Sequence, residues 1–244
     1  MALIHEFENS GNWLFRRRGW LPAIIFIPIL AYLFIEGSEK LSYNLAEEMV
    51  FLGISLFGLL LRIITVGRTP GKTSGRNTKK QLAEQINTNG IYSLVRHPLY
   101  LGNFFMWLGP VLFLRSISFT IIFGLAYWLY YERIMFAEEQ FLRGKFGEEY
   151  DKWASRVPAF IPSFRNYKRA ELPFSFRNIL KRENTGFTLI FLVFALLDLA
   201  RNFSEGGVLR MNNIWLYLVI FAVIFWLVFR ILRKNTTILN VKGR

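Results

Sequence analysis

Six long apolar runs dominate the chain: Trp20 to Ile35, Met49 to Val66, Leu99 to Leu114, Ile117 to Tyr131, Phe187 to Ala200 and Ile214 to Leu232. Such runs read as membrane-spanning helices, and a perpendicular crossing of the hydrocarbon core takes about 20 residues. The shorter runs, of 14 to 16 residues, must therefore recruit flanking Trp, Tyr and Arg or sit where the bilayer thins. The fifth contains Asp198 and is the weakest of the six.

The charges between the runs alternate in sign from loop to loop. Arg16 to Arg18 precede the first run, whereas the next loop holds Glu36, Glu39, Glu47 and Glu48 against Lys40. The loop from Gly67 to Pro98 is basic again, with Arg68, Lys72, Arg76, Lys79, Lys80 and Arg96 against Glu84. Basic loops stay cytoplasmic. An even number of spans with both termini inside fits every loop, and Arg230, Arg233 and Lys234 close the last run. Arg115 is the one charge between the third and fourth runs, so these two form a tight antiparallel hairpin. Its open ends must meet, which brings Arg96 and His97 beside Glu132, Arg133, Glu138 and Glu139 at the cytoplasmic interface. Beyond the hairpin, Pro158, Pro162 and Pro173 are mixed with aromatic and basic residues. This composition predicts an irregular interfacial segment followed by a short amphipathic helix near Phe174 to Lys181.

Composition agrees with lipid as the solvent: 53% of residues are hydrophobic and 17% aromatic. The net charge of +13 would suggest nucleic acid in a soluble protein, but here the basic residues flank apolar runs. That placement favours anionic lipid headgroups and excludes nucleic acid as the expected partner. The absence of cysteine excludes disulfides and thiolate chemistry, and His5 and His97 have no partner at ligand spacing, so no metal site is expected. Glu6 and Glu8 ahead of the basic cluster, with no small-residue cleavage site after the first run, argue against a removable leader.

Two clusters carry candidate chemistry. In the first, Gly90 to Gly102, Gly90 permits a turn, Pro98 suits the first turn of a helix, and Gly102 admits a close neighbour, backbone or ligand. Arg96 and His97 then sit at a helix N-terminus, where N–H groups, the helix dipole and a guanidinium favour an anion. An interfacial anchor accounts for the same residues. The second cluster runs from Glu132 through Glu138 and Glu139 to Pro162; its carboxylates can serve as salt-bridge partners of Arg96 or Arg133, or receive a cationic ligand group.

The ordered set Gly90-x-Tyr92, Arg96-His97-Pro98-x-Tyr100-x-Gly102, a helical hairpin, Glu138-Glu139, Phe146-Gly147-x-x-Tyr150 and Val157-Pro158 to Pro162 resembles the isoprenylcysteine carboxyl methyltransferase and phospholipid methyltransferase family. The resemblance implies an all-α, polytopic helical membrane protein with about six transmembrane helices and a cofactor pocket at the cytoplasmic face. It divides the chain into N-terminal transmembrane helices (1–66), a methyltransferase core (67–165), and an interfacial segment with C-terminal transmembrane helices (166–244). By similarity, Tyr92, Arg96, His97, Tyr100, Gly102, Glu138 and Glu139 bind S-adenosylmethionine, with Glu138 also assigned to catalysis. Arg133, about one and a half turns before Glu138, is placed where a headgroup would arrive; it is assigned to catalysis with Glu138, and to the acceptor with Tyr150 and Trp153. The acceptor is expected to be a membrane lipid or lipid-linked molecule, methylated on the oxygen of an acidic group, since an anion needs orientation and no general base. Alternatives are N-methylation of a phospholipid and a membrane reductase of the sterol-reductase kind. The stretch Gln81 to Asn89 departs from the carboxyl methyltransferases and argues against prenylcysteine specificity.

Overall fold

The computed structural model describes residues 2–21, 24, 27–28, 31, 44–71, 73 and 81–244. The first apolar run, Trp20 to Ile35, lies largely outside the described residues, as do Glu36, Glu39, Lys40, Lys72, Arg76, Lys79 and Lys80. What is described is helical: α1 (Leu3–Arg17), α2 (Leu45–Arg68), α3 (Pro98–Phe113), α4 (Ile117–Phe146), α5 (Glu148–Ala154), α6 (Phe176–Gly206) and α7 (Asn213–Asn235). Short 3-10 turns occupy Ile91–Ser93 and Phe164–Asn166, and one isolated bridge joins Gly90 to Lys168. Helices α2, α6 and α7 are long and apolar enough to cross a membrane, and α3 is a shorter apolar helix. The chain is thus an all-α, polytopic membrane protein.

Local chemistry sets where these helices start. The Asn44 side chain accepts from the Ala46 and Glu47 amides at the head of α2, and Glu47 and Glu48 follow in the first turn, where the helix dipole favours negative charge. Ser116 caps α4 and Ser175 caps α6 in the same way. Pro98 stands in the first turn of α3, where its missing N–H costs nothing. The reversal between α3 and α4 turns on Arg115, a non-glycine residue at φ 49°, and its guanidinium pairs with Glu47 at 2.8 Å.

The predicted up-and-down alternation appears in the contacts at the two ends of the bundle. One end gathers the start of α2, the α3–α4 turn, the end of α6 and the start of α7, through Arg115 with Glu47 and through Arg201, Glu48, Asp198 and Trp215. At the opposite end the Asn178 amide donates to Val66 O (2.8 Å), the Ser175 N–H to Gly67 O (2.8 Å), and Lys181 to Asn240 (2.7 Å). Arg18 meets Glu138 at this same end. The N-terminal helix, the last residues of the chain and the motif-bearing segment therefore share one end.

Helices α2 and α3 pack closely because small residues face each other. A Cβ on Gly102 would stand 2.8 Å from Gly58 O and 2.5 Å from Arg62 Cγ, and one on Gly58 would stand 2.4 Å from Gly102 O. In lipid, where apolar helices gain little by leaving solvent, such close approach is the main source of association. Valine at Gly102 should therefore lower the melting temperature in detergent, by the equivalent of about 1 to 3 kcal/mol of overpacking; an unchanged melt would mean that α2 and α3 can slide apart at little cost.

Two expectations need correction, and one helix was not foreseen. The short amphipathic helix near Phe174 to Lys181 is not separate: its residues form the start of α6, which runs unbroken through the polar stretch Arg182 to Thr185 to Gly206. The second helix of the hairpin continues fifteen residues past Tyr131, to Phe146, where Gly147 at φ 55° breaks it. And residues 3–17, ahead of the first apolar run, form a helix packed on α4, with Gly11 against the Arg133 carbonyl.

Candidate functional site

The two motif clusters are joined by backbone hydrogen bonds before any side chain is considered. The Arg96 N–H donates to Pro158 O (2.9 Å), the His97 N–H to Ala159 O (3.1 Å), and the Ser163 N–H to Leu94 O (2.9 Å). The N–H of Gly90, whose φ is 63°, donates to Lys168 O (2.9 Å). These N–H groups lie outside the helix that begins at Pro98, and they are committed to the chain itself. Their effect is to lock the Val157-Pro158 segment against the Arg96-His97-Pro98 segment, which explains why the two occur as a set.

The side chains then converge across the hairpin. His97 Nε2 lies 3.0 Å from Glu139 Oε1, and its Nδ1 lies 3.5 Å from Glu138 Oε2. Tyr100 donates to Glu138 Oε1 at 2.8 Å, and Tyr127 anchors the Tyr100 carbonyl at 2.6 Å. Arg18, at the end of α1, reaches both Tyr100 Oη (2.9 Å) and Glu138 Oε1 (3.0 Å). Arg96 Nε stands 3.2 Å from Glu139 Oε1, close enough for ion pairing but without a directed hydrogen bond. Tyr150 is buried beside Glu139, and burial pushes its phenol well up, so that it stays a neutral donor.

Burial alone would lower the pKa of His97, but the hydrogen bonds from its two nitrogens to Glu138 and Glu139 outweigh it and hold the imidazole above its ordinary value. A raised native pKa means that this stabilisation is complete below the unfolded value, about pH 6.5, and is lost as pH climbs through the native one. The melting temperature of the protein should therefore exceed that of His97→Gln most at pH 6, with the gap narrowing toward pH 9. A gap that widens with pH would overturn this charge assignment.

Tyr92, Arg96, His97, Tyr100, Glu138 and Trp153 line one cavity of about 980 Å³. Glu139 and Tyr150 sit just behind it, against His97 and each other. Two expected site residues are elsewhere. Gly102 faces α2, where it admits Arg62 and the Gly58 backbone. Arg133 lies with its guanidinium 3.4 Å over the Phe7 ring of α1 and does not line the cavity. Sequence reasoning also missed several lining residues. Arg18 was read only as a topology charge, and α6 was given no part, yet Lys181, Arg182, Glu183, Gly186, Ile190 and Val193 line the cavity from α6. Arg62 of α2 grips Glu183 with two nitrogens at 2.8 and 2.9 Å and donates to Asn103 at 2.7 Å, tying α2, α3 and α6 together on the wall of the cavity.

The cavity is polar at one end and apolar at the other. Arg96, His97, Tyr100 and Glu138 make the polar end, whereas Met106, Trp107 and Pro110 of α3 face Leu189, Ile190 and Val193 of α6.

Comparisons with known proteins identify the family. The family model described as phospholipid methyltransferase matches residues 49–149. The chain is 36% identical over 86 residues to protein-S-isoprenylcysteine O-methyltransferase of Schizosaccharomyces pombe, a match covering 35% of this chain and 36% of that protein. It is 33% identical over 159 residues to the cobalt-zinc-cadmium resistance protein CzcN of Cupriavidus metallidurans, covering 64% of this chain and 69% of that protein. A probable protein-S-isoprenylcysteine O-methyltransferase of Oryza sativa is 33% identical over 134 residues, covering 51% and 69%. No solved structure matches the chain. The ordered motifs, their convergence in one cavity and the match to more than two thirds of a relative's length together place the chain in the isoprenylcysteine carboxyl methyltransferase and phospholipid methyltransferase family of integral membrane enzymes.

Proposed function

We propose that this protein transfers a methyl group from S-adenosylmethionine to an oxygen of an acidic group on a lipid or lipid-linked acceptor. The observation that carries the reading is the two-sided cavity, whose charged end suits a zwitterionic nucleoside cofactor and whose apolar end suits a hydrocarbon chain. Its volume lies at the upper end of the range for small-molecule pockets, enough for a cofactor and part of an acceptor together. The donor set also fits the cofactor: Arg96 Nε and Trp153 Nε1 are buried at the site without a directed hydrogen bond, and buried polar atoms of that kind call for a partner.

In this reading Arg96 would hold the cofactor carboxylate and Glu138 its ammonium or ribose hydroxyls, His97 and Glu139 would brace that pair through their own ion pairs, and Tyr92 and Trp153 would offer aromatic faces to its base. Tyr100 and Arg18 both donate to one oxygen of the Glu138 carboxylate and His97 faces the other, so its charge is held in place. When bound, S-adenosylmethionine would supply an electrophilic methyl: the carbon–sulfur bond breaks with its electron pair kept on sulfur as the carbon–oxygen bond forms, giving an ester with one negative charge fewer than the acceptor. Alignment does most of the work in such a displacement. His97 is clamped between two carboxylates and is not needed as a base, because an anionic oxygen carries no proton to remove. Arg133 has no part in this scheme.

Calorimetry on protein purified in detergent tests the proposal. S-adenosylmethionine and its demethylated product should both saturate the site; saturation by NADPH with neither of these binding would sink the reading and favour a reductase. The site end carries Arg16 to Arg18, Arg68, Arg96 and Lys145, which supports its lying on the cytoplasmic side. A reporter fused to the C-terminus should accordingly be active inside the cell, and activity outside would reverse that orientation.

A further inference from the structure

Helix α6 lies beyond the segment matched by the family model, residues 49–149, yet it forms one whole wall of the cavity. We infer that α6 is the acceptor-selecting element of this chain: its face receives an anionic amphiphile, with the charged group at Lys181 and Arg182 and the hydrocarbon chain between Leu189, Ile190, Val193 and α3. This rests on the methyl-transfer reading above, and it assigns the acceptor side of the site to a segment that carries none of the motif residues.

Three observations on that wall point the same way. Charge comes first. Among the described lining residues, Arg18, Arg62, Arg96, Lys181, Arg182 and Arg244 stand against Glu138 and Glu183, so the cavity as a whole attracts anions. Arg18 and Arg62 are matched to those two carboxylates by ion pairs. Arg96 faces Glu139 behind the cavity, and Lys181, Arg182 and Arg244 add the rest of the lining's positive charge, the first two at the start of α6, where Lys181 also donates to Asn240. Polarity along the helix comes second. Within α6 the lining residues change from Lys181, Arg182 and Glu183 to Leu189, Ile190 and Val193 over about three turns, the order in which an amphiphile changes from headgroup to tail. The third is space. At Gly186, between these halves, an added Cβ would meet Met106 Cε at 3.4 Å, Glu183 Oε2 at 3.7 Å and Leu59 Cδ1 at 4.0 Å, all at ordinary contact distance. Glycine at this point keeps the passage between α3 and α6 open. The bidentate Arg62–Glu183 pair fixes the helical phase of this stretch, so the three features stay on one face.

A pair of probes with the same 18-carbon chain and opposite charge tests the assignment. Tritiated oleate is bound to the purified full-length protein in nonionic detergent, competed by unlabelled oleate or oleylamine, and corrected for protein-free micelles. S-adenosylmethionine affinity is measured in parallel on every variant. Oleate should bind saturably and compete at least about tenfold better than oleylamine, the value of one charge-assisted contact. Gly186→Ala should bind oleate as the parent does, whereas Gly186→Leu should lose about tenfold or more and keep its S-adenosylmethionine affinity within about twofold, because the added carbons enter the passage and not the polar end. Lys181→Gln with Arg182→Gln should erase the preference for oleate over oleylamine. Unsaturable oleate, equal competition by both amphiphiles, or a Gly186→Leu protein that binds oleate like the parent would each overturn the inference. Failure of the parent protein to bind S-adenosylmethionine would instead overturn the methyl-transfer reading, and the oleate series would still decide whether α6 holds an anionic amphiphile.

Discussion

Glutamine in place of Glu138 should weaken S-adenosylmethionine binding by about ten- to a hundredfold and lower thermal stability in the same protein. One oxygen of Glu138 accepts from Arg18 at 3.0 Å and from Tyr100 at 2.8 Å, while the other faces His97 Nδ1 at 3.5 Å. An amide NH2 in either orientation puts a donor against a donor. Losing the charge also leaves Arg18, Arg96 and His97 close together with Glu139 as their remaining carboxylate. A hydrogen bond to a charged group is worth about 1.5 to 3 kcal/mol, which sets the size of the affinity loss if the cofactor relies on this carboxylate. Arg18→Met in the Glu138→Gln background should recover part of the stability, since the two side chains form one unit and their effects should not add. Calorimetry and a melt on the four proteins check this. Glu138→Gln binding the cofactor like the parent while melting lower would mean that Glu138 only braces the hairpin.

Much of this site was readable in the sequence because topology does the work. A tight reversal at Arg115 forces the open ends of α3 and α4 together, so His97 had to lie near Glu138 and Glu139 whatever the details of packing. Helical phase could have excluded Arg133. It stands five positions before Glu138, which on a helix of 3.6 residues per turn is about 140° away, on another face. Tyr131 and Glu138, seven apart, do share a face, and both line the cavity. Position along the chain had placed Arg133 near a headgroup; phase turns it toward Phe7.

The parts that stayed hidden depend on partners far away in the chain. The stretch Arg182-Glu183-Asn184-Thr185-Gly186 is polar and glycine-containing, and by itself reads as a loop before an apolar run. It is helical here because Glu183 receives the guanidinium of Arg62 from 121 residues away, a pairing no local pattern reveals. Arg18 poses the same difficulty: its charge was visible, but its contacts with Tyr100 and Glu138 depend on how α1 folds back on α4. Asp198 is different. It had marked its run as a doubtful span, yet Asp198-x-x-Arg201 is a spacing that puts both side chains on one helix face, and that local signal was enough to suggest a paired charge inside a membrane helix.

That pair belongs to a buried cluster whose disruption should have the largest effect on stability in the molecule. Glu48, Asp198 and Arg201 are each no more than 1% exposed. Arg201 bonds both carboxylates, Trp215 Nε1 donates to Glu48 at 2.8 Å, and Asn212 donates to Asp198 from its backbone (2.7 Å) and its side chain (2.6 Å). Three helices, α2, α6 and α7, are fastened through this one guanidinium at the end of the bundle opposite the site. Leucine at Arg201 would leave two carboxylates buried beside each other, and removing one partner of a buried ion pair costs about 3 to 5 kcal/mol. For a chain of this length that corresponds to a fall of roughly 10 °C in melting temperature. Adding Glu48→Gln should restore a substantial part of it, because the amide carbonyl still accepts from Trp215 while one uncompensated charge is gone. If the loss came only from the emptied volume of the arginine side chain, the double variant would melt no higher than Arg201→Leu alone. Cofactor affinity, measured below the melt, should be unchanged in both, since none of these residues lines the cavity; a matching loss there would show that the two ends of the bundle are coupled.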